Sequence, residues 1–194
     1  MNMTSDEPSS DFMFDKKILQ GLDLSKYGIS FKESERSPTE PESGILIRPL
    51  SKHDFDKGYI DVLAQLTSVG EVKKCDFIAR FESMKKAGCY YLLVVEDTEA
   101  DNGRGKIVGA GTLEIEEKFI HSCALRGRVE EVIVDSKYRG RRLGKIILGL
   151  ITELSKSLKC YKTTLECKVD NIAFYNIFGY EEDPEKFMQR RFRD

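Results

Sequence analysis

Histidine is scarce in this chain. His53 and His121 are the only two in 194 residues, which argues against a histidine-rich metal centre. The five cysteines, Cys75, Cys89, Cys123, Cys160 and Cys167, are odd in number, scattered and without CxxC spacing. Neither a disulfide framework nor a zinc site is expected from them, and a reducing compartment fits best. No apolar run approaches the roughly 18 residues of a membrane span. The first residues are acidic and polar where a signal peptide is basic and then apolar. The expectation is a soluble cytoplasmic protein. An excess of either charge is also lacking: 31 basic against 33 acidic residues leave a formal net charge of −2. Any basic patch is therefore local, and a general nucleic-acid binder is disfavoured. No repeat of fixed period is present.

What is present is one domain's worth of core, with 40% apolar residues. Residues 1–43 are polar, with prolines at Pro8, Pro38 and Pro41, and read as a mobile tail in which only the segment FMFDKKIL has the apolar residues to dock. Residues 44–194 form the domain. A first strand is expected over Ile45–Arg48. Helical spacing of Phe55, Tyr59, Val62, Leu63 and Leu66 predicts a helix over 54–69 that Gly70 ends, and Phe77, Ile78, Phe81 and Met84 predict a second over 76–86 with Gly88 just beyond. Strands follow at Tyr90–Glu96 and Lys106–Glu116, joined by the hairpin-like DTEADNGRG. Later come a strand at Thr163–Cys167, a short helix begun by Asp170 and Asn171 and ending near Gly179, and a final strand over 187–193. The order suits an α/β fold with a mixed, mostly antiparallel sheet flanked by helices.

The stretch VEEVIVDSKYRGRRLGK carries an apolar strand through a glycine-and-arginine turn directly into a helix. Val129, Val132, Ile133 and Val134 form the strand, and Ile147, Leu150, Ile151, Leu154 and Leu158 continue at helical spacing. Unpaired N–H groups at a helix start attract anions, and Arg139, Gly140, Arg141, Arg142, Gly144 and Lys145 add charge and close approach, so a diphosphate is the natural ligand. A P-loop is excluded by spacing: three residues separate Gly140 from Gly144, and Lys145 is followed by Ile146 rather than a hydroxyl for magnesium. The glycine spacing of a dinucleotide fingerprint is absent too. An acyl-coenzyme A cradle and a solvated basic turn remain.

With this order of elements, the turn from Arg139 to Gly144 resembles the pyrophosphate loop Gln/Arg-x-x-Gly-x-Gly/Ala of the GNAT family of N-acetyltransferases. Arg139 and Gly144 match, and Arg142 stands where the first glycine is expected. Further stretches, LIRPL, QLTSVG, KFIHSC, RGRVEEVIV, KCYKTTLEC, NIAFYNIFGY and MQRRF, closely resemble members of that family that act on an aminosugar phosphate, and cover most of residues 44–193. The resemblance implies the acyl-CoA N-acyltransferase fold, splayed beside the loop, and acetyl transfer from acetyl-CoA to the 2-amino group of glucosamine 6-phosphate, toward UDP-N-acetylglucosamine. It implies direct attack in a ternary complex, with no metal and no acyl-enzyme. Cys167, beside Glu166, is the covalent alternative, but no histidine adjoins it.

The same resemblance nominates residues. Val132, Ile133, Val134, Arg139, Gly140, Arg141, Arg142, Leu143, Gly144, Lys145, Asn171 and Tyr175 would hold the coenzyme. Thr67, Lys118, Phe119, Ile120, His121, Glu130, Glu131, Val132, Tyr161, Lys162, Glu166 and Arg191 would meet the sugar phosphate. Glu166, Glu131 and Tyr175 are the catalytic candidates, with Glu166 orienting the amine or helping with its proton and Tyr175 stabilising the departing thiolate. Bland readings stand beside these: solvated strand charge for the lysines, a cross-strand partner of Lys162 or Lys168 for Glu166, a core aromatic for Tyr175 and a helix cap for Asn171. Glu130 and Glu131 are neighbours on a strand, so they face opposite sides unless the strand bulges, as it can beside an active site. A homodimer is implied, with Tyr161, Lys162 and Arg191 at the interface and sites shared between subunits. Peripheral association with Golgi or endosomal membranes is also admitted by the resemblance. The competing functions are acetylation of a protein lysine or another small amine, and a non-catalytic acyl-CoA sensor.

Overall fold

The computed structural model of the chain describes residues 11–31 and 36–192. Five strands lie side by side in chain order: β1 (Ile45–Pro49), β2 (Tyr90–Asp97), β3 (Lys106–Glu117), β4 (Leu125–Val134) and β5 (Cys160–Thr164). The first three pairings are antiparallel and the last, β4 with β5, is parallel. Two helices, α1 (Tyr59–Leu63) and α2 (Lys74–Ala87), separate β1 from β2. The single turns α3 (Ala100–Gly103) and α4 (Ile120–Cys123) cap the two hairpins. A long helix, α5 (Leu143–Ser157), makes the crossover to β5, and the short α6 (Ile172–Asn176) follows.

The core has two layers divided by the sheet. Alternation along β2 sends Leu93 and Val95 to α5 and Leu92 and Val94 to α1 and α2, where Tyr59, Val62, Phe77 and Phe81 are buried. Gly111 on β3 lets α5 approach: a Cβ there would stand 2.5 Å from Ile147 Cγ2 and 2.8 Å from Ile151 Cδ1. On α5, Ile146, Ile147, Leu148, Gly149, Leu150 and Ile151 are all buried in succession. A helix buried on every side needs cover on its outer face as well. Residues 11–31 supply it: Leu19, Leu24 and Ile29 are each about as buried as the sheet interior, and Leu24 lies over Gly149.

The docking anticipated for FMFDKKIL thus extends to Ile29, and residues 11–31 pack as an anchored strap rather than a loose tail. Met13 donates its backbone N–H to Leu50 O at 2.8 Å, and Tyr27 Oη donates to Glu153 Oε1 on α5 at 2.5 Å. The parts of the expected tail over 1–10 and 32–35 lie outside the described residues.

Three expected elements differ. The helix expected over 54–69 is reduced to Tyr59–Leu63, because Gly58 adopts a left-handed φ of 82° at its start and Asp54 is turned inward. The Asp54 carboxylate accepts from Arg48 Nη1 and Nη2 at 2.8 Å each and from Ser51 N at 2.7 Å. The last β5 residue is Thr164, three before the expected end, since pairing with β4 stops at Arg128 opposite Thr164. No strand forms over 187–192: the segment has no neighbouring strand to satisfy its backbone, and Phe187, Met188 and Phe192 are 63%, 90% and 83% exposed. Residue 193 of that expected strand lies outside the described residues.

Candidate active site

Strand β4 changes character halfway along. Up to Arg128 it pairs with both neighbours; beyond it, β5 departs and β4 runs on to Val134 with its β5-facing edge unpaired by any strand among the described residues. On the other edge Ala110 pairs with Ile133 and Thr112 with Glu130, which leaves Glu131 and Val132 together opposite Gly111. This is a β-bulge, with Glu131 left-handed at φ 56°. A non-glycine residue held there costs on the order of 1–3 kcal/mol, a strain that clusters at functional sites. The open edge presents backbone donors and acceptors to an extended, amide-bearing chain.

The bulge separates the two neighbouring carboxylates. Glu130 pairs with Arg128 Nε, while Glu131 Oε2 accepts from Thr112 Oγ1 at 3.2 Å. Both oxygens of Glu166 lie 3.0 Å from Arg128 Nη2, so one guanidinium holds Glu130 and Glu166 together. Arg128, rather than Lys162 or Lys168, is thus the partner of Glu166, and it is the residue that sequence reasoning passed over. Its signal was available: Arg126, Arg128 and Glu130 share one face of a strand by period two. Desolvation raises the pKa of Glu131; Thr112 opposes this by donating to the charged form, and the charge of Glu130 adds to it. Glu131 is exposed at its edge, yet protein atoms crowd its carboxyl, and we take the lost hydration as the deciding effect.

Beyond β4, Asp135 caps a single turn by accepting from Lys137 N at 2.9 Å. Gly140 has φ 82° and Arg142, in the expected glycine position, takes the left-handed φ of 63° that glycine favours. The departure from the family pattern changes the side chain and keeps the backbone. No side chain caps α5 and no acid stands in its first turn, so the N–H groups of Leu143, Gly144 and Lys145 have no partner within the helix. An anion is drawn there by those donors and by the helix dipole. Arg139 Nε reaches Val134 O at 3.4 Å, Arg141 Nε reaches Glu42 Oε1 at 3.0 Å, and Arg142 Nη2 reaches Gly28 O at 3.2 Å. Val132 and Val134 flank the cradle half-buried, with Ile133 buried between them.

Tyr175 on α6 is half-buried, edge-on to Phe174 at 5.2 Å and to Tyr180 at 6.2 Å between centroids. Desolvation raises its pKa, and the nearby Cys167 adds to the rise, so the hydroxyl keeps its proton. Asn171 precedes α6 without a side-chain capping bond. The bland cap reading for it is therefore not realised.

Lys118, Phe119, Ile120, His121, Tyr161 and Lys162 gather at the far end of β3 to β5, and Thr67 and Arg191 stand apart from them in sequence. Lys118 pairs with Glu116, and the His121 ring lies 4.5 Å from that of Tyr161, over which Lys162 Nζ stands at 5.9 Å. His121, Ser122 and Cys123 are all left-handed, and the turn leaves Phe119 98% and Ile120 61% exposed. Thr67 follows α1, with its N–H donated to Leu63 O at 3.2 Å, and Arg191 lies in the exposed C-terminal segment. Among the described residues no side-chain hydrogen bond or ion pair joins Thr67 or Arg191 to the other candidates. No group of three or more metal-ligating side chains is found among the described residues, nor a helix long and apolar enough to cross a membrane.

Comparison with known proteins adds the following. Residues 58–180 match the acetyltransferase (GNAT) family model. A probable glucosamine 6-phosphate N-acetyltransferase from Drosophila melanogaster is 40% identical over 173 residues, which cover 89% of this chain and 77% of the relative. A glucosamine 6-phosphate N-acetyltransferase from Arabidopsis thaliana is 39% identical over 133 residues, 69% of this chain and 87% of the relative. The crystal structure of the Arabidopsis thaliana glucosamine-6-phosphate N-acetyltransferase superposes with a TM-score of 0.69 at 36% identity, covering 77% of this chain and 99% of that one.

Proposed function

Because this chain belongs to the GNAT family of acetyltransferases, we propose that it moves acetyl from acetyl-CoA to the 2-amino group of glucosamine 6-phosphate. The single observation that carries the reading is the parting of β4 from β5, which sets an anion cradle at one end of an open strand edge and a carboxylate group with Arg128 along it. The diphosphate of the coenzyme occupies the cradle from Arg139 to Lys145, and its pantetheine amides pair with the edge at Val132 to Val134.

The chemistry follows from the groups in place. The amine must shed a proton to attack the thioester carbonyl, and Glu131, with its raised pKa, is a better acceptor near neutrality than an ordinary carboxylate. Glu166 and Glu130, oriented by Arg128, accept hydrogen bonds from the amine and the sugar hydroxyls. The nitrogen bonds to the carbonyl carbon, the C–S bond breaks, and Tyr175 gives a proton to the leaving thiolate. Asn171 contacts the coenzyme arm. Lys118, Lys162 and Arg191, with His121, take the sugar's phosphate, and Thr67, Phe119, Ile120 and Tyr161 lie around the ring.

The exposed Phe119, Phe187, Met188 and Phe192 support a homodimer in which a second copy covers them and Arg191 completes a shared site. Five free cysteines support a reducing compartment, the cytoplasm. The functional domain is read as residues 44–194, with the strap packed on it.

Incubating the pure protein with acetyl-CoA and glucosamine 6-phosphate while following free thiol tests the reaction. Thiol release is expected with the sugar phosphate and far less with unphosphorylated glucosamine. Release with a lysine peptide but not with the sugar phosphate would move the assignment to protein acetylation, and no release with any of these amines would leave a coenzyme sensor.

A further inference from the structure

We propose that Thr112 is a positioning residue of the acetyl transfer: its hydroxyl fixes one oxygen of Glu131 and leaves the other for the amine. This rests on the function proposed above, in which Glu131 receives the amine's proton. The hydroxyl donates to Oε2 at 3.2 Å, and among the described residues no group is hydrogen-bonded to Oε1. Thr112 is 5% exposed, and the Glu131 carboxylate is the one partner its hydroxyl has among the described residues.

The bulge explains why the two meet. Along β3, Ala110 lies with Leu92 and Ile133 in the layer under α1 and α2, whereas Gly111 and Leu113 face α5. Thr112, between those two and paired with Leu92, therefore points under α1 and α2. Along β4, Val129 and Val132 both pack into the α5 layer, although residues three apart on a regular strand point to opposite faces. The extra residue of the bulge makes this possible and turns Glu130 and Glu131 together toward the other face. There Glu130 goes to Arg128 and Glu131 to Thr112. The left-handed backbone of Glu131, at φ 56°, persists only where its surroundings hold it, and the Thr112 hydroxyl is the side-chain hydrogen bond that does so.

Packing alone does not call for a hydroxyl in that place. Its neighbours on this face are Leu92, Ala110 and Ile133, and a valine of the same outline would be buried there without a polar group to satisfy. The charged and titratable groups around the carboxylate leave Thr112 as its donor. Glu130, on the same strand, is a like charge held by Arg128, which also holds Glu166. Tyr59, on α1, is a buried phenol whose pKa is raised by burial and by the charges of Glu131 and Asp54, so it stays neutral. Burial and Glu130 both disfavour the charged form of Glu131, and Thr112 is the group that favours it.

The test is the pH profile of kcat and kcat/KM for glucosamine 6-phosphate, followed by thiol release in the full chain, in Thr112→Val and in Thr112→Ser. Thr112→Val is expected to lower kcat about tenfold with KM within about twofold of the parent's. It also moves the ionisation in kcat/KM to higher pH, because a donor that favours the charged carboxylate is gone. Thr112→Ser keeps the donor and recovers most of both. A hydroxyl kept only for packing would move the melting temperature and leave the ionisation where it was. In a Glu131→Gln background, Thr112→Val is expected to cost less than about twofold more, since its route to the reaction is already closed. A Thr112→Val protein of native melting temperature with the parent's kcat and profile overturns the proposal, as does a tenfold loss repeated in full in the Glu131→Gln background. Thr112→Ala serves if the valine variant fails to fold. Absence of thiol release by the unaltered protein with any amine would instead strike at the acetyltransferase reading itself.

Discussion

Two clusters of arginine and carboxylate lie at opposite parts of the sheet, and they differ in what surrounds them. At β1 and β2, Arg48 is clamped by Asp54 through two 2.8 Å bonds and by Glu96 at 2.8 Å, and Lys57 completes the set by donating to Glu96 Oε1 at 2.5 Å. Arg48, Asp54 and Glu96 are all at most 8% exposed. Every charge there has a partner, and only Lys57 at its rim is open to solvent. At β4, Arg128 holds Glu130 and Glu166 in a cluster whose side chains are 30–42% exposed, beside a bulge and a strand edge with no partner strand among the described residues. The first cluster is a rivet and the second is open to a ligand. Satisfaction and burial, not the residue types, tell them apart.

Breaking the rivet gives the largest expected effect. Asp54→Ala strands the Arg48 guanidinium and the Ser51 N–H in a buried place and is expected to cost about 3–5 kcal/mol of stability, read by denaturant unfolding. The same substitution logic at β4 predicts a loss of turnover with the fold intact. Glu131→Gln is expected to lower kcat by about 100-fold, equivalent to roughly 2.7 kcal/mol of barrier, with little change in melting temperature. The parent's kcat/KM should rise with pH through an ionisation above the usual carboxylate range, because burial raises the Glu131 pKa and the base acts deprotonated. A profile flat through that range would remove Glu131 from the role.

Arg128→Ala sharpens the comparison. The pairs are partly exposed, so a stability loss of about 1 kcal/mol or less is expected, while kcat/KM for the sugar falls about tenfold as Glu130 and Glu166 lose their common anchor. An unfolding free energy changed as much as by Asp54→Ala would make β4 a second rivet. Smaller still is Arg142→Gly. It relieves a left-handed arginine and is expected to stabilise the fold by about 1 kcal/mol or less, while removing the contact to Gly28 O.

Acid separates the clusters too. Burial pushes the Glu96 carboxyl up, but Lys57 and Arg48 outweigh it and hold its pKa below the usual value. A depressed folded pKa stabilises above the unfolded value and is lost as pH falls through the folded one. Glu96→Gln should therefore flatten the acid limb of the stability curve.

Much of the fold was legible because its signals are local. The apolar spacing of Phe77, Ile78, Phe81 and Met84 with Gly88 beyond located α2, and the apolar pattern from Val129 located the strand, turn and helix of β4 and α5, with Arg142 left-handed in a glycine's place. The run Ile146 to Ile151 on α5 also held an unread message: a helix apolar on every side requires a second cover, and that cover is the strap. Sequence reasoning erred where a long-range partner decides. Asp54 looked like the start of a helix and is claimed by Arg48; 187–192 resembled a strand and has none beside it among the described residues.

Period, turn chemistry and charge count are properties of short windows, so the chain alone determined its α/β class, the position of the glycine-and-arginine turn before its long helix and the acids and bases near it. Tertiary structure decided which of several equivalent cations would hold Glu166, that Glu131 would leave the plane of its strand, and that Glu42 and Gly28 would meet Arg141 and Arg142 of the turn before α5. Those choices turn on distances between segments remote in sequence, and among side chains of the same charge only packing separates one partner from another.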